Sequence, residues 1–283
     1  MKLLRYGPKG QEKPGMLDAS GVIRDLSGIV PDIAGEVLSP AGLARLAALD
    51  PAGLPAVPGH PRLGCPVAGF TQLICIGLNY ADHAAETGSP IPKEPIVFLK
   101  ANGAISGPYD DVIIPKNSRK TDWEVELCVI IGTTARYVSE EEALDHVAGY
   151  AVGNDVSERE WQIERGGAWD KGKGADTFGP VGPWLVTKDE VPDPQNLDMF
   201  CEVDGVRMQT GNTRTMIFSV RQLVSYVSHF ITLHPGDIIF TGTPPGVGLG
   251  KKPEPIFLKP GQTMRLGIQG LGEQRQRVVA YGG

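Results

Sequence analysis

Apolar runs separated by turn-forming residues occupy most of the chain, and most of these runs have the length and pattern of strands. The runs that predict buried strands are QLICIGL, IVFLKA, WEVELCVIIG and GYAVGND. The tail TMRLGIQGLGEQRQRVVAY alternates apolar and polar residues about a GLGE turn, which is typical of a hairpin. A glycine- and proline-rich composition, with 37 and 24 residues, agrees with a fold that contains many turns.

Helical periodicity is confined to a few segments. SVRQLVSYVSHFI (219–231) has apolar residues at helical spacing after an N-cap serine, and VLSPAGLARLAALDP predicts a helix that starts at Ser39 and Pro40. Two capping boxes, Ser139-x-x-Glu142 and Ser157-x-x-Glu160, predict two more short helices, the second ending near Arg165.

The order of these elements predicts a mixed α/β, β-rich fold, because helices are interspersed among strands without a regular βαβ repeat. The proline-dense stretch PAGLPAVPGHPRLGCP, near residue 70, divides the chain into a small N-terminal region, 1–70, and a larger catalytic domain, 71–283. The same stretch is also compatible with a loop inside a single domain.

Charge and composition exclude several functional classes. The formal net charge of −6 argues against non-specific nucleic-acid binding, and no apolar run approaches the length of a membrane span. The four cysteines include no CxxC pair, so a zinc finger or ribbon is not expected. Without a recognisable secretory signal, the chain is expected to be cytoplasmic.

Two glutamates stand out because they interrupt an apolar strand. In TDWEVEL, Glu124 and Glu126 project from one face of the strand, and Asp155 ends a strand some thirty residues later. Three carboxylates together favour Mg²⁺, Mn²⁺ or Ca²⁺ over zinc. The alternative is a solvated edge strand, and the E-x-E pattern by itself favours that alternative.

Two helical pairs offer further chemistry. In GLNYADHAAE, His83 and Glu86 are three residues apart, so a helix places them on one face, where the glutamate can orient the imidazole to activate a water. Arg159 and Gln162 have the same spacing and could hold an anionic or carbonyl-bearing substrate. Either pair could instead belong to a solvated helix face.

Two glycine-rich segments complete the set of candidates. KGKGADTFGPVGPW carries Lys171 and Lys173, and a lysine there could stabilise a developing enolate. In FTGTPPGVGLG, the backbone N–H groups and the hydroxyls of Thr241 and Thr243 could bind a carboxylate. A flexible surface loop and an ordinary turn are the structural alternatives.

Taken in order, these blocks resemble the fumarylacetoacetate hydrolase family over about residues 71–250. The blocks are GLNYADHAAE, EPIVFLK, DWEVELCVIIG, GYAVGNDVSER, KGKGADTFGPVGP, GNTRTMIFSV and DIIFTGTPPGVG. The first seventy residues are similar to the extra region of the family's bacterial sugar-acid branch. The resemblance implies a β-roll fold, a Mg²⁺ or Mn²⁺ site and a homodimer.

Site roles follow from the same resemblance, residue by residue. The implied metal ligands are Glu124, Glu126 and Asp155, the implied water-activating pair is His83 and Glu86, and the implied catalytic lysine is Lys173. Arg159, Gln162 and Thr243 match substrate-contacting positions. The family often has Lys-Ser-Phe where this chain has Lys173-Gly174-Ala175, which predicts a roomier pocket wall.

The implied reaction is metal-dependent hydrolysis of a C–C bond in a 2,4-diketo acid. The substrate would be a diketo-3-deoxy sugar acid or an acylpyruvate, and the products pyruvate and a small acid. The alternatives are a decarboxylase or isomerase of 2-oxo diacids, a ureidoglycolate lyase, and a metal-dependent ligand-binding protein without turnover.

Overall fold

Strands predominate in this computed structural model, which describes residues 1–282. The first hundred residues form β1 (Lys2–Tyr6), β2 (Lys13–Leu17), β3 (Ile23–Asp25), α1 (Pro40–Ala47), β4 (Leu73–Gly77), α2 (Ala81–Thr87) and β5 (Ile96–Lys100). The middle of the chain adds β6 (Ile105–Ser106), β7 (Val112–Ile114), β8 (Thr121–Asp122), β9 (Val125–Ile131), β10 (Val147–Asn154), β11 (Ser157–Glu158), α3 (Asp170–Lys173) and β12 (Gly179–Thr187). The last part contains β13 (Asp198–Val203), β14 (Val206–Asn212), α4 (Val220–Ser228), β15 (Ile238–Phe240), β16 (Thr263–Ile268) and β17 (Gly272–Ala280).

Short helical turns connect several of these elements. A π-helical turn spans Glu160–Glu164, and 3-10 turns occur at Gly35–Leu38, Pro51–Gly53, Asn102–Ala104, Ala143–His146, Lys188–Glu190, Thr213–Thr215 and Gly248–Gly250.

The strands form two main sheets. Ten of them make one mixed sheet in the order β3-β2-β1-β12-β10-β9-β15-β4-β5, with β6 paired to β12. A second sheet has the order β14-β13-β16-β17-β7, and β8 pairs with β11 alone. Most neighbours are antiparallel, whereas β4 and β15 run parallel. The predicted mixed α/β, β-rich fold is confirmed.

Strand β9 is central in the large sheet, between β10 and β15, and every one of its residues is buried. Val125 and Leu127 belong to the hydrophobic core that also contains residues of β13 and β16. Cys128 and Ile130 face a different core on the opposite side. Side chains alternate along a strand, so Glu126 shares the second face.

The N-terminal residues build that second core and extend the large sheet. Strand β1 pairs with β12, with Leu3 opposite Leu185. Leu26 and Leu38 are fully buried in the same cluster as Ile130. Residues 1–70 therefore pack directly against the sheet that carries β9. The division into regions 1–70 and 71–283 stays a prediction.

Two of the predicted helices form as expected. Ser39 caps α1, and Ser219 forms a reciprocal capping box with Gln222 at the start of α4. The Ser139 capping contacts also form, although only a 3-10 turn follows them. Ser157 is not a helix cap: it lies in β11, and its hydroxyl donates to the Asp155 carbonyl. The predicted cap was wrong because pairing with β8 takes precedence over the local capping pattern, although a π-helical turn, Glu160–Glu164, forms within the predicted helix.

No helix within residues 1–282 has both the length and the apolar composition that crossing a membrane requires.

Packing of the N-terminal region leads to a stability prediction. Leu3 is fully buried, so Leu3→Ala is expected to lower the free energy of unfolding by about 3 kcal/mol. The protein should unfold in a single urea transition that shifts as a whole. Ile29→Ala, at a side chain that is 44% exposed, is the control and should change stability by less than about 0.5 kcal/mol. Two transitions, of which Leu3→Ala moves only one, would contradict this packing.

Candidate metal centre and active site

Three carboxylates meet at the adjacent ends of β9 and β10. Because the two strands are antiparallel, the end of β10 lies beside the start of β9, and the Asp155 N–H donates to the Glu124 carbonyl at 2.9 Å. Oxygens of Glu124, Glu126 and Asp155 all lie within 4.8 Å of one another. Each residue is at most 6% exposed, so the solvated-edge alternative is wrong.

A lysine ammonium lies between two of these carboxylates. Lys173 Nζ is 2.8 Å from both Glu124 Oε2 and Asp155 Oδ2. Lys173 is 2% exposed, whereas Lys171, its rival in the sequence, is exposed to solvent. The close packing of α3 against the sheet therefore places only the second lysine at the cluster.

The two glutamates differ in their affinity for a proton. Burial by itself raises the pKa of Glu124, but the charges of Lys173 and Arg159 outweigh burial and hold that pKa at about 2. Burial raises the pKa of Glu126 well above its usual range, and the charges of Asp155 and Glu124 raise it further. Repulsion among the three carboxylates thus acts mainly on Glu126, whose pKa it raises.

A second buried lysine, Lys100, contacts the carboxylate cluster through Asp155. Lys100 Nζ donates to the carbonyls of Val156 and Lys173, at 3.0 and 2.5 Å, and lies 2.5 Å from Asp155 Oδ1. Nevertheless, Asp155 Oδ1 accepts no hydrogen bond of normal geometry, although it is buried. This oxygen can therefore still coordinate a cation.

The residues present fit a divalent cation. Three clustered carboxylates are a hard oxygen donor set, suited to Mg²⁺ or Mn²⁺. Asp155 Oδ1 is ion-paired with Lys100 but accepts no hydrogen bond of normal geometry, and Lys173 Nζ supplies positive charge between two of the ligands. In the described part of the chain this is the single group of three potential metal-ligating side chains with such spacing.

The predicted histidine–glutamate pair forms on helix α2. His83 Nδ1 is 3.0 Å from Glu86 Oε2, as the three-residue spacing predicts. The Gly246 N–H donates to both oxygens of Glu86, at 3.0 and 3.1 Å, which holds the carboxylate against the imidazole. His83 lines the same cleft as Glu124 and Asp155.

The glycine-rich segment 241–250 binds the protein's own carboxylates. Besides the Gly246 contact with Glu86, the Gly242 N–H donates to Glu126 Oε2 at 2.8 Å. Gly248 and Leu249 donate through their N–H groups to Asp122, at 2.7 and 3.0 Å. Sequence reasoning foresaw a carboxylate-binding loop but not that its ligands are side chains of this chain.

The three predicted substrate-contacting residues lie beside the cluster, and most of their polar atoms contact other protein groups. Arg159 contacts Asp122 and Glu124, and its Nη1 donates to Gln162 Oε1 at 3.0 Å. Thr243 Oγ1 donates to the Val125 carbonyl and accepts from Gln209 Nε2, both at 2.8 Å. In this arrangement Arg159 positions Glu124, and the three substrate roles stay predictions.

Two residues of the site were missed at the sequence level. Asp122 is fully buried, and it stands two residues before Glu124, so the D-x-E-x-E alternation was a usable signal. Lys100 lies near the end of the apolar run IVFLKA, where it looks like an ordinary lysine at the end of a strand. Its role depends on contacts with residues 55 and more positions away, which no local pattern reveals.

One cleft of about 280 Å³ is lined by the three carboxylates, Lys173 and His83, together with Arg159, Gln162 and Thr243. A larger cleft of about 560 Å³ lies over the second sheet, beside Phe200 and Arg207. The described residues that line the larger cleft include no comparable group of three metal-ligating side chains, so the candidate chemistry lies in the smaller cleft.

Comparison with known proteins agrees with this geometry. Residues 72–279 match the family model described as fumarylacetoacetate (FAA) hydrolase, C-terminal. The chain belongs to the fumarylacetoacetate hydrolase family. The predicted family is thereby confirmed, whereas the sugar-acid branch stays a prediction. Members of this family are hydrolases and isomerases, so the chain belongs to a family of enzymes.

Relatives and solved structures extend over nearly the whole chain. A protein of Burkholderia cenocepacia strain HI2424, named provisionally as a hydrolase, is 69% identical over 277 residues and 98% of each chain. A fumarylacetoacetate hydrolase from Exiguobacterium antarcticum is 35% identical, with a TM-score of 0.87 over 99% of both chains. The maleylpyruvate hydrolase from Sphingobium sp. SYK-6, solved with manganese(II) and pyruvate, is 32% identical, with a TM-score of 0.81 over 99% of both.

Metal binding should stabilise the fold. Because a divalent ion relieves repulsion among the carboxylates, Mg²⁺ or Mn²⁺ at about one hundred times its Kd should raise the Tm by about 5 °C. Differential scanning calorimetry with and without EDTA measures this shift. Glu126→Gln should abolish it, and Glu160→Gln, outside the cluster, should retain it. A Tm that does not respond to either ion would remove the metal assignment.

Lys173 should be a major determinant of metal-free stability. Lys173→Met leaves Glu124 and Asp155 without their shared cation, which is expected to lower the free energy of unfolding in EDTA by about 3 kcal/mol. Mg²⁺ should restore more stability to this variant than to the parent chain, as urea titrations can measure. Exposed Lys171 offers the matched control, Lys171→Met. An equal loss in both variants would show that the paired ammonium is unimportant.

Proposed function

We propose that the chain is a divalent-metal-dependent hydrolase that cleaves a C–C bond of a 2,4-diketo acid to give pyruvate and a small acid. The observation that carries this proposal is the His83–Glu86 pair, which lines the same cleft as the carboxylate cluster and Lys173. Decarboxylation or simple ligand binding does not need a water-activating pair.

The carboxylates of Glu124, Glu126 and Asp155 would hold the ion. When bound, a divalent cation supplies Lewis-acid polarisation of the substrate's 2-oxo group. The maleylpyruvate hydrolase solved with manganese(II) and pyruvate supports both the metal and the product.

Proton transfer is assigned to His83. With its Nδ1–H donated to Glu86 Oε2, the imidazole has Nε2 available to accept a proton from water. The resulting hydroxide adds to the C4 carbonyl of the substrate. Glu86 stabilises the imidazolium that forms. The Gly246 N–H donates to the Glu86 carboxylate and holds it in place.

Carbon–carbon cleavage then follows. Collapse of the C4 adduct breaks the C3–C4 bond, and the bonding electrons pass to C3 to give the enolate of pyruvate. Lys173 carries a fixed positive charge, because contacts with Asp155 and Glu124 outweigh the effect of burial and raise its pKa. This ammonium stabilises the enolate oxygen, and the proton that His83 took from the water passes to C3, which completes pyruvate. C4 leaves as the carboxylic acid.

Within this class, a diketo-3-deoxy sugar acid or an acylpyruvate is the proposed substrate. The first follows from the resemblance of the N-terminal region to the sugar-acid branch. We also propose that the functional unit is a homodimer. Tyr226, Phe230 and Ile231 support that assembly, since they line an apolar groove in which Phe230 is 71% exposed.

The reaction can be tested with acetylpyruvate and Mg²⁺, with pyruvate release coupled to lactate dehydrogenase. His83→Ala should lower kcat by a factor of about 10² to 10⁴ while the metal-induced Tm shift persists. His60→Ala, at an exposed position, is the control and should retain full activity. Carbon dioxide release from oxaloacetate, measured in parallel, reports the decarboxylase alternative. Turnover that survives His83→Ala would refute the assigned proton transfer.

A further inference from the structure

An aromatic wall leads outward from the carboxylate cluster. Lys173 Nζ lies 5.2 Å from the centre of the Phe98 ring, and Phe98 packs edge-to-face against Trp169, with ring centres 5.3 Å apart. Both rings line the cleft. The wall thus begins beside the ammonium proposed to stabilise the enolate and continues away from the carboxylates.

Trp169 is held in place from two sides. Gly77, at the end of β4, lets the indole lie directly on the backbone, since a Cβ there would be 2.5 Å from Trp169 Cζ3. The neighbouring Asp170 accepts a hydrogen bond from the Leu99 N–H at 3.1 Å, which ties this segment to β5. The Trp169 indole is therefore a fixed part of the cleft wall.

Aliphatic side chains extend the wall. Ile96, Phe98 and Lys100 occupy alternate positions of β5, and side chains two residues apart on a strand lie about 7 Å apart. Lys100 contacts Asp155, so Ile96 marks the outer end of this row. Ile96 is 37% exposed and Ile163, also in the cleft, is 51% exposed. A bound hydrocarbon chain would cover both.

No cation in the cleft lining of the described chain is left for a second substrate carboxylate. The two lining cations already contact carboxylates of the protein: Arg159 with Asp122 and Glu124, and Lys173 with Glu124 and Asp155. The imidazole of His83 likewise contacts Glu86. A carboxylate at the outer end would therefore lose water without gaining an ion pair.

Hydroxyl groups at the rim are also engaged. Thr87 Oγ1 is within hydrogen-bond distance of the His83 and Ala84 carbonyls and of Ser89 Oγ. These contacts are internal to the end of α2, so a polyhydroxylated substrate chain would meet few available partners in this part of the cleft.

We infer that Phe98, Trp169, Ile96 and Ile163 form an acyl subsite, which selects 2,4-diketo acids whose 4-acyl group is an uncharged hydrocarbon. Acylpyruvates are then preferred over both 2-oxo diacids and diketo-3-deoxy sugar acids. This inference rests on the proposed hydrolysis and identifies the part of that substrate class which the site takes.

A substrate series tests the subsite. With Mg²⁺, kcat/KM should rise about fourfold for each methylene from acetylpyruvate through butanoylpyruvate to hexanoylpyruvate. Fumarylpyruvate and a 2,4-diketo-3-deoxy sugar acid should fall below acetylpyruvate. Trp169→Ala should flatten the dependence on chain length. Tyr281→Ala, which removes an aromatic ring that is 66% exposed and outside the cleft lining, is the control and should keep it.

A gain of function gives the complementary test. Ile163→Arg places a guanidinium in the outer cleft and should raise kcat/KM for fumarylpyruvate about tenfold, whereas the neutral Ile163→Gln should not. Binding is measured separately as the Tm shift that each acylpyruvate causes in the His83→Ala variant with Mg²⁺. That shift should increase with chain length even without turnover.

The outcomes separate the two proposals. A chain-length dependence that is flat or falling in both kcat/KM and the Tm shift would overturn the acyl subsite, as would faster cleavage of fumarylpyruvate than of acetylpyruvate. Absence of pyruvate release from every 2,4-diketo acid, with the graded Tm shift intact, would overturn the proposed reaction and leave the subsite supported.

Discussion

Burial of carboxylates on the central strand is the constraint on which the rest of the site depends. Glu126 belongs to a strand with neighbours on both sides, so its charge cannot be solvated at an edge. The protein compensates with buried cations at the cluster, Lys173 and Lys100, and with backbone donors. Compensation is incomplete, since Glu126 retains a raised pKa and Asp155 Oδ1 lacks a normal hydrogen bond. That residual imbalance is what makes the cluster suited to a divalent ion.

The glycine-rich segment 241–250 connects this electrostatic problem to catalysis. Through backbone N–H groups it holds Glu126 of the cluster, Glu86 of the proposed water-activating pair and Asp122, which in turn binds Arg159. At Gly242 the close approach excludes a side chain, because a Cβ would lie 2.8 Å from that of Asn79. One loop thus sets the relative positions of the proposed metal ligands and the proposed base.

The same arrangement explains how the cleft divides its chemistry. Among the described residues, the cations that line the cleft, Arg159 and Lys173, already contact carboxylates of the protein. The carboxylate cluster occupies the inner part of the cleft, and aromatic and aliphatic side chains, including Trp169, wall the outer part. In the reaction that we propose, the inner part holds the reacting groups and the outer part holds the acyl chain.

Local patterns in the sequence determined strands β4, β5, β9 and β10, the β16–β17 hairpin, and helices α1 and α4. They also determined the shared face of Glu124 and Glu126 and the pairing of His83 with Glu86, because each depends on spacing within a few residues. The tertiary structure decided what depends on distant segments. Packing of α3 buried Lys173 and left Lys171 exposed. Strand pairing placed Ser157 in β11 and not at the start of its predicted helix. Long-range contacts brought Lys100 into an ion pair with Asp155. The physical reason is that burial and ion pairing are set by whichever residues the fold brings together, and sequence spacing carries no measure of that distance.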